Sequence, residues 1–189
     1  MLAELGATVR KSRPLGCENA HVKTLLVVYQ SRSGGTQRLV DAAVEGALLA
    51  IEETTVVSGG TDETDGASGV SLDTRHAFDA GPDEVKAASA VLIATPANFG
   101  YMSGAMKDFF ERIYHLCLGV TAGMPYAMIV KGDTDVDGAA ASVERIATGM
   151  RWREVLPRLC VVGDVTTEHL DAAMELAATL MAGLDAGIY

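Results

Sequence analysis

Aromatic side chains are scarce, only 5% of 189 residues, so any core must be built from aliphatic, alanine and methionine side chains. Cysteine is nearly absent: Cys17, Cys117 and Cys160 lie far apart, are odd in number and show no C-x-x-C spacing. That pattern excludes a disulfide framework and a tetracysteine metal site. Basic residues are outnumbered, 15 Lys and Arg against 25 Asp and Glu, giving a formal net charge of −10. An acidic surface repels phosphate backbones and anionic headgroups, so neither nucleic acid nor membrane is an expected partner. A small basic pocket can still hold an anionic cofactor, because the overall sign does not dictate the sign inside a cleft. Long apolar runs are missing as well. Nothing reaches the roughly 18 residues of a membrane span, and residues 1–21 lack the apolar run of about 7–15 that a secretory signal needs. A cytoplasmic setting is the expectation.

What is present is ample apolar material, 49% of the sequence, in a length that suits one domain. Residues 1–21 lack a clean period and read as an N-terminal extension, with the domain running over 22–189. Val22–Tyr29 is a continuous β-branched run, predicting a strand buried on both faces. Leu39, Val40, Ala43, Val44, Ala47 and Leu48 then recur at helical spacing. A second strand is predicted over Glu53–Ser58, where Thr54, Thr55, Val56 and Val57 favour extended backbone. Residues 59–81 read as a long acidic loop with at most a short strand around Thr74–Phe78. Further strands are predicted at Ala90–Thr95, Pro125–Val130 and Leu159–Val162, and further helices at Pro82–Ala88, after Ser103, at Ala139–Met150 and at Thr167–Leu184. The helix after Ser103 is marked by Met106, Phe109, Phe110, Ile113 and Leu116. Short apolar strands alternating with helices imply an α/β fold of three layers, a parallel sheet covered on both faces.

Two loops carry chemistry. The stretch Ser31-Arg32-Ser33-Gly34-Gly35-Thr36 lies between a strand and a helix. Its hydroxyls, its glycine amides and the helix N-terminus together suit a terminal phosphate. It is neither a dinucleotide fingerprint nor a P-loop. A Ser/Gly/Thr loop that merely caps a helix remains the plainer alternative. The second stretch, Thr95-Pro96-Ala97-Asn98-Phe99-Gly100-Tyr101-Met102, reads as a loop at the carboxyl end of a central strand, where open parallel sheets bind ligands. Asn98 can read polar ring atoms there, with Phe99 and Tyr101 as an apolar wall. A loop packed on the following helix is the alternative.

Ser31-x-Ser33-Gly34-x-Thr36, followed by Thr95-Pro96-x-x-Phe99-Gly100-x-Met102 and Lys107-x-Phe109-x-Glu111, resembles the flavodoxin-like superfamily. The nearest likeness within it is to NAD(P)H:quinone oxidoreductases of the tryptophan-repressor-binding-protein type, and to NADPH-dependent FMN reductases. The resemblance implies a five-stranded parallel sheet in the order 2-1-3-4-5. It also implies FMN as cofactor, NAD(P)H as electron donor, a quinone-like small-molecule acceptor, and a homo-dimer or tetramer. Carried over, Ser31, Arg32, Ser33, Gly34, Gly35 and Thr36 would hold the FMN phosphate, and Pro96, Ala97, Asn98, Phe99 and Gly100 would line the ring. A third cofactor loop would fall at Lys131, Gly132 and Asp133, continuing to Asp137. Here the sequence departs from the resemblance, with three aspartates where those reductases are rich in Ser, Thr and Gly. A flavodoxin-type electron carrier, or a member of the fold that has lost flavin, are the alternative readings.

Other motifs read as structural. Asp133-x-Asp135-x-Asp137-Gly138 with Glu144 matches the one-line calcium-loop pattern. The preceding segment, however, reads as a strand, so these aspartates are expected to cap and charge the next helix. His21, His76, His115 and His169 are scattered, with no metal spacing, and His115 alone is a candidate to approach the cofactor edge or a subunit contact. No G-x-S-x-G elbow is present. Cys117 and Cys160 read as core, and Trp152 as a buried anchor before the last strand.

Overall fold

The computed structural model describes residues 22–57 and 69–189. The N-terminal extension, with Cys17 and His21, and the first part of the predicted acidic loop, residues 59–68, lie outside the described residues. In chain order the elements begin with β1 (Lys23–Tyr29), α1 (Gly35–Val57), β2 (Val70–His76), α2 (Pro82–Ala87), β3 (Ala90–Asn98) and β4 (Tyr101–Met102). They continue with α3 (Gly104–Cys117), β5 (Pro125–Gly132), α4 (Asp137–Gly149), β6 (Arg153–Glu154), β7 (Leu159–Val162) and α5 (Thr167–Asp185). No helix among the described residues is long and apolar enough to cross a membrane.

The strands pair in the order β2-β1-β3-β5-β6, with β7 continuing the β6 edge along β5 and β4 folding back on β3. Every one of these pairs except β3–β4 is parallel. The expected five-position order is therefore present, with its last strand split into β6 and β7. Alternation along the strands divides the core between two faces. Leu26, Val28, Val91, Ile93, Met128 and Val130 meet the apolar sides of α2, α3 and α4. Leu25, Val27, Leu92, Ala94, Ala127 and Ile129 meet α1 and α5. Because both faces are covered, the central strands read as unbroken apolar runs.

Helix ends are held by local chemistry. The Ser103 hydroxyl accepts from the Met106 amide at 3.2 Å and opens α3. The Gly81 amide donates to Glu84 at 2.9 Å, ahead of Pro82 in the first turn of α2. Trp152 is buried, and its indole N–H donates to Thr121 Oγ1 at 2.9 Å, as a structural anchor should.

Four predictions need correction. Glu53–Val57 is the last part of α1, and the second strand is Val70–His76. A β-branched residue costs a growing helix only some tenths of a kcal/mol, while extension of an existing helix needs no new nucleus. The edge beside β1 is taken by β2, whose alternation of polar and apolar residues suits a half-exposed outer strand. Pro96–Ser103 is not an open loop: β3 runs on to Asn98 and turns back through β4. Cys160 is exposed, on the outer strand β7, whereas Cys117 is buried as expected. Leu116 is exposed too, because the buried stripe of α3 runs through Ala105, Met106, Phe109, Phe110, Ile113 and Cys117.

Candidate functional site

β1 connects outward to β2 on one side, while β3 and the later strands build to the other. The crevice above the carboxyl ends of β1 and β3 is thus the switch point of the sheet, where open α/β folds bind ligands. Three sequence-predicted segments end there on adjacent strands. Ser31–Thr36 follows β1, Pro96–Gly100 closes β3, and Lys131–Asp133 closes β5. Their mutual placement is fixed by register, with Tyr29 opposite Ala94 and Pro96 opposite Lys131.

The first segment is a helix N-terminus shaped for an anion. Ser31 Oγ accepts from the Gln37 amide at 3.1 Å, which pins the loop to the first turn of α1. Gly34 has φ +89°, a conformation costly for any side chain, and open space where its Cβ would stand. Thr36 is buried, whereas Arg32 and Ser33 are exposed. A cleft of about 500 Å³ opens beside the loop, lined by Ser33, Gly34, Gly35, Arg38, Lys131 and Asp164 among others. At the root of the loop Gln30 Oε1 is buried without a protein partner. Buried polar atoms are normally satisfied, so Gln30 Oε1 is an acceptor that a water or a ligand polar group at the end of β1 can fill. Free amides, hydroxyls and nearby cations suit a phosphate monoester.

The second segment is a two-residue hairpin. Asn98 pairs with Tyr101 and Ala97 with Met102, leaving Phe99 at φ +54° and Gly100 at φ +71° in the turn. Two successive positive φ values define a turn whose twist matches that of the strands. The base of the hairpin is locked. Thr95 Oγ1 accepts from the Ser103 amide at 3.1 Å, and Ser142 Oγ on α4 accepts from the Met102 amide at 3.2 Å. A Cβ on Gly138, in the first turn of α4, would strike the Gly100 carbonyl oxygen, so that backbone-to-backbone contact requires glycine. Pro96 is buried, and Ala97 and Asn98 are half-buried. Phe99 is fully exposed, and Tyr101 is 42% exposed. The expected apolar wall is therefore a projecting tip rather than a packed surface.

The third segment accounts for its acids one by one. Asp133 pairs with Lys131. Asp135 accepts from the Asp137 amide at 2.9 Å. Asp137 lies in the first turn of α4, where a negative charge meets the positive end of the helix dipole. Gly132 is buried, and a Cβ there would collide with the Asp135 carbonyl and crowd Ala97. The pattern that matched a calcium loop is thus taken up otherwise: a strand precedes it, Gly138 is already helical, and Glu144 pairs with Arg158 at 3.1 Å.

The three segments come together as their order on the sheet demands, but His115 does not join them. It is exposed at the far end of α3, edge-on to Tyr114 with ring centroids 5.4 Å apart, and α3 starts at the hairpin and runs away from it. Two contributors were not read from the sequence: Arg38 and Asp164, which line the cleft from α1 and from the turn after β7. Arg38 falls on the exposed side of a helical pattern, and only the tertiary fold brings Asp164 near the first loop. An aromatic group at the other side of the crevice was also missed. His76, at the end of β2, stacks edge-on with Tyr29 at 5.7 Å and lies 5.4 Å from Phe78.

This arrangement is the flavodoxin-like α/β fold. No family model matches the chain. Among solved structures it is similar to a flavodoxin from an archaeon, with TM-score 0.68 and 17% identity over 85% of this chain and 98% of that one. It is similar to a WrbA-like flavodoxin from Agrobacterium tumefaciens, with TM-score 0.61 and 16% identity over 87% and 98%. An oxidoreductase from Corynebacterium diphtheriae matches with TM-score 0.63 and 15% identity over 88% and 96%.

Proposed function

We propose that this chain is an FMN-binding flavoprotein, and an oxidoreductase that passes electrons from NAD(P)H to a quinone-like acceptor. The observation that carries the reading is the convergence of an anion-shaped loop, a locked hairpin and the Lys131–Asp133 turn on one switch point. Ser33, the amides of Gly34 and Gly35, and Thr36 would bind the phosphate. Ala97, Asn98 and the Phe99–Gly100 tip would flank the ring, whose placement is set by the Thr95–Ser103 and Met102–Ser142 bonds beneath. FMN bound there supplies hydride and electron transfer, so no side-chain acid or base is needed and the residues act by binding and orienting.

Visible absorbance of the purified protein, followed by titration of the apoprotein with FMN and riboflavin, tests this. Thr36→Val should weaken FMN by roughly tenfold or more, as expected for one hydrogen bond to a charged group, and leave riboflavin nearly unchanged. No flavin in the preparation and no binding at tens of micromolar would overturn the reading. Oxidation of NADH or NADPH with a quinone then separates enzyme from electron carrier. The carrier reading draws on the net charge of −10 and the exposed Phe99 and Tyr101 beside the crevice, which suit docking to a redox partner.

A further inference from the structure

Lys131 stands next to last in β5, yet its side chain does not run out into water. It crosses to the start of α1, where Cε lies 3.1 Å from the position a Gly35 Cβ would take, and it is only 14% exposed. Glycine at 35 is therefore what makes room for the lysine stem. The ammonium borders the cleft of the first loop and pairs there with Asp133, whose side chain is 88% exposed. The two partners are held very unequally. Packing fixes the lysine, whereas the aspartate can leave for water at little cost, since ion pairs with an exposed member contribute about 0–1 kcal/mol.

The other charges around the cleft do not play the same part. Arg38 donates to the Val165 carbonyl at 3.3 Å on an exposed face of α1, Arg32 is exposed, and Asp164, in the turn after β7, is an exposed acid lining the cleft. Asp135 and Asp137 are engaged at the start of α4. Lys131 is thus the one largely buried cation among the residues lining the cleft.

We propose that Lys131 is the charge partner of a phosphate monoester held on the 31–36 loop, and that Asp133 occupies its ammonium until that phosphate arrives. The pair then sets how strongly the site prefers a phosphorylated flavin to an unphosphorylated one. This rests on the FMN reading above. A dianionic phosphate is the stronger partner for one ammonium than a single carboxylate, and the displaced Asp133 is rehydrated on leaving. Part of the phosphate affinity is consequently spent on displacing Asp133, which moderates the selectivity.

The test compares FMN with riboflavin for the wild type, Lys131→Met, Asp133→Asn and the double variant, with Lys131→Gln as a second neutral replacement should the methionine variant misfold. The methionine keeps the stem against Gly35 and removes the charge. Lys131→Met should lower the FMN-to-riboflavin affinity ratio by about tenfold or more, the usual scale for a charge-assisted contact. Asp133→Asn should raise the ratio, and the double variant should behave as Lys131→Met alone. A second arm uses inorganic phosphate, which should raise the thermal midpoint of the wild type and not that of the Lys131 variants. Flavin binding with an unchanged ratio in folded Lys131 variants overturns this inference and spares the FMN reading. Failure of the wild type to bind either flavin, with Lys131-dependent stabilisation by phosphate intact, overturns the FMN reading and spares the anion site. Phosphate stabilisation that is absent, or independent of Lys131, overturns the inference.

Discussion

Phe99 occupies a left-handed conformation at φ +54°, which a bulky aromatic residue rarely adopts, and its ring touches no protein surface. Such a residue costs of order 1–3 kcal/mol with nothing local to offset it. The turn geometry calls for Asn at this position, followed by the glycine already present at 100. Phe99→Asn should therefore raise the thermal midpoint by a few degrees, on the scale of about 2–4 °C per kcal/mol in a domain of this size. Calorimetry on the two proteins checks it, and an unchanged or lower midpoint would show that the tip is not strained. The same residue explains why the hairpin was not legible in the sequence. Asn-Gly is a hairpin signal and Phe-Gly is not, and Pro96 argued against a continuing strand. Past Ala94, however, β3 keeps a strand neighbour on one side only, a setting in which proline is tolerated. By contrast, the anion loop could be read directly, since its small hydroxyl residues and glycines need no tertiary partner to announce their use.

At the scale of elements, α1 and α5 form the closest helix pair, and a single glycine permits it. A Cβ on Gly46 would run into the Met174 backbone carbonyl of α5. Gly46→Ala improves intrinsic helix propensity by about 1 kcal/mol, but forcing a methyl against backbone in a packed interface costs about 1–3 kcal/mol. The net change should be destabilising, with a lower denaturation midpoint in urea and an unchanged far-ultraviolet dichroism spectrum at rest. A midpoint equal to or above that of the wild type would mean the helices separate easily. Strongly periodic elements were legible here: Leu39, Val40, Ala43 and Ala47 on α1, and Ala177 and Met181 on α5, are buried as their spacing requires. The end of α1 and the first half of β2 were not, although the short strand expected around Thr74–Phe78 overlaps the end of β2. Local propensity favours extended backbone at Thr54–Val57, and helix continuation outweighs it. β2 carries Ser71, Asp73, Thr74 and Arg75 because its outer side meets water. One of its hydroxyls, Ser71 Oγ, is paired across to Thr24 Oγ1 at 2.9 Å, a contact that no local pattern announces.

For the molecule as a whole, the two-sided core buries one large hydroxyl-bearing ring near its sheet edge. Burial, together with the nearby Glu154 and Glu144 carboxylates, pushes the Tyr126 hydroxyl up to about 12 from its ordinary value of 10. A raised value in the folded state means the fold favours the neutral phenol. Its contribution is complete below about pH 10 and disappears as the pH rises through about 12. Stability measured by denaturant should therefore fall across that alkaline window, and Tyr126→Phe should flatten much of the fall. Tyr189, which burial also raises, accounts for some of the remainder. An identical alkaline profile in Tyr126→Phe would refute the assignment. The global architecture was the most legible level, because alternation of apolar strands and helices leaves few topologies open. Ion pairing was the least: the aspartates were expected at the start of α4, where Asp135 accepts an amide and Asp137 lies in the first turn, but only the folded chain shows Asp133 on Lys131 and Glu144 on Arg158.

The hairpin beside the crevice is anchored at its foot by Ser103 and Ser142, and its turn leans on Gly138 through the Gly100 carbonyl. The Phe99 side chain stands at the tip with no packing around it. On this side of the crevice a ligand thus meets a backbone pinned at its foot and a ring free to turn about its own Cα–Cβ bond, so an adjustment to ligands of different outline can be made there without moving the hairpin.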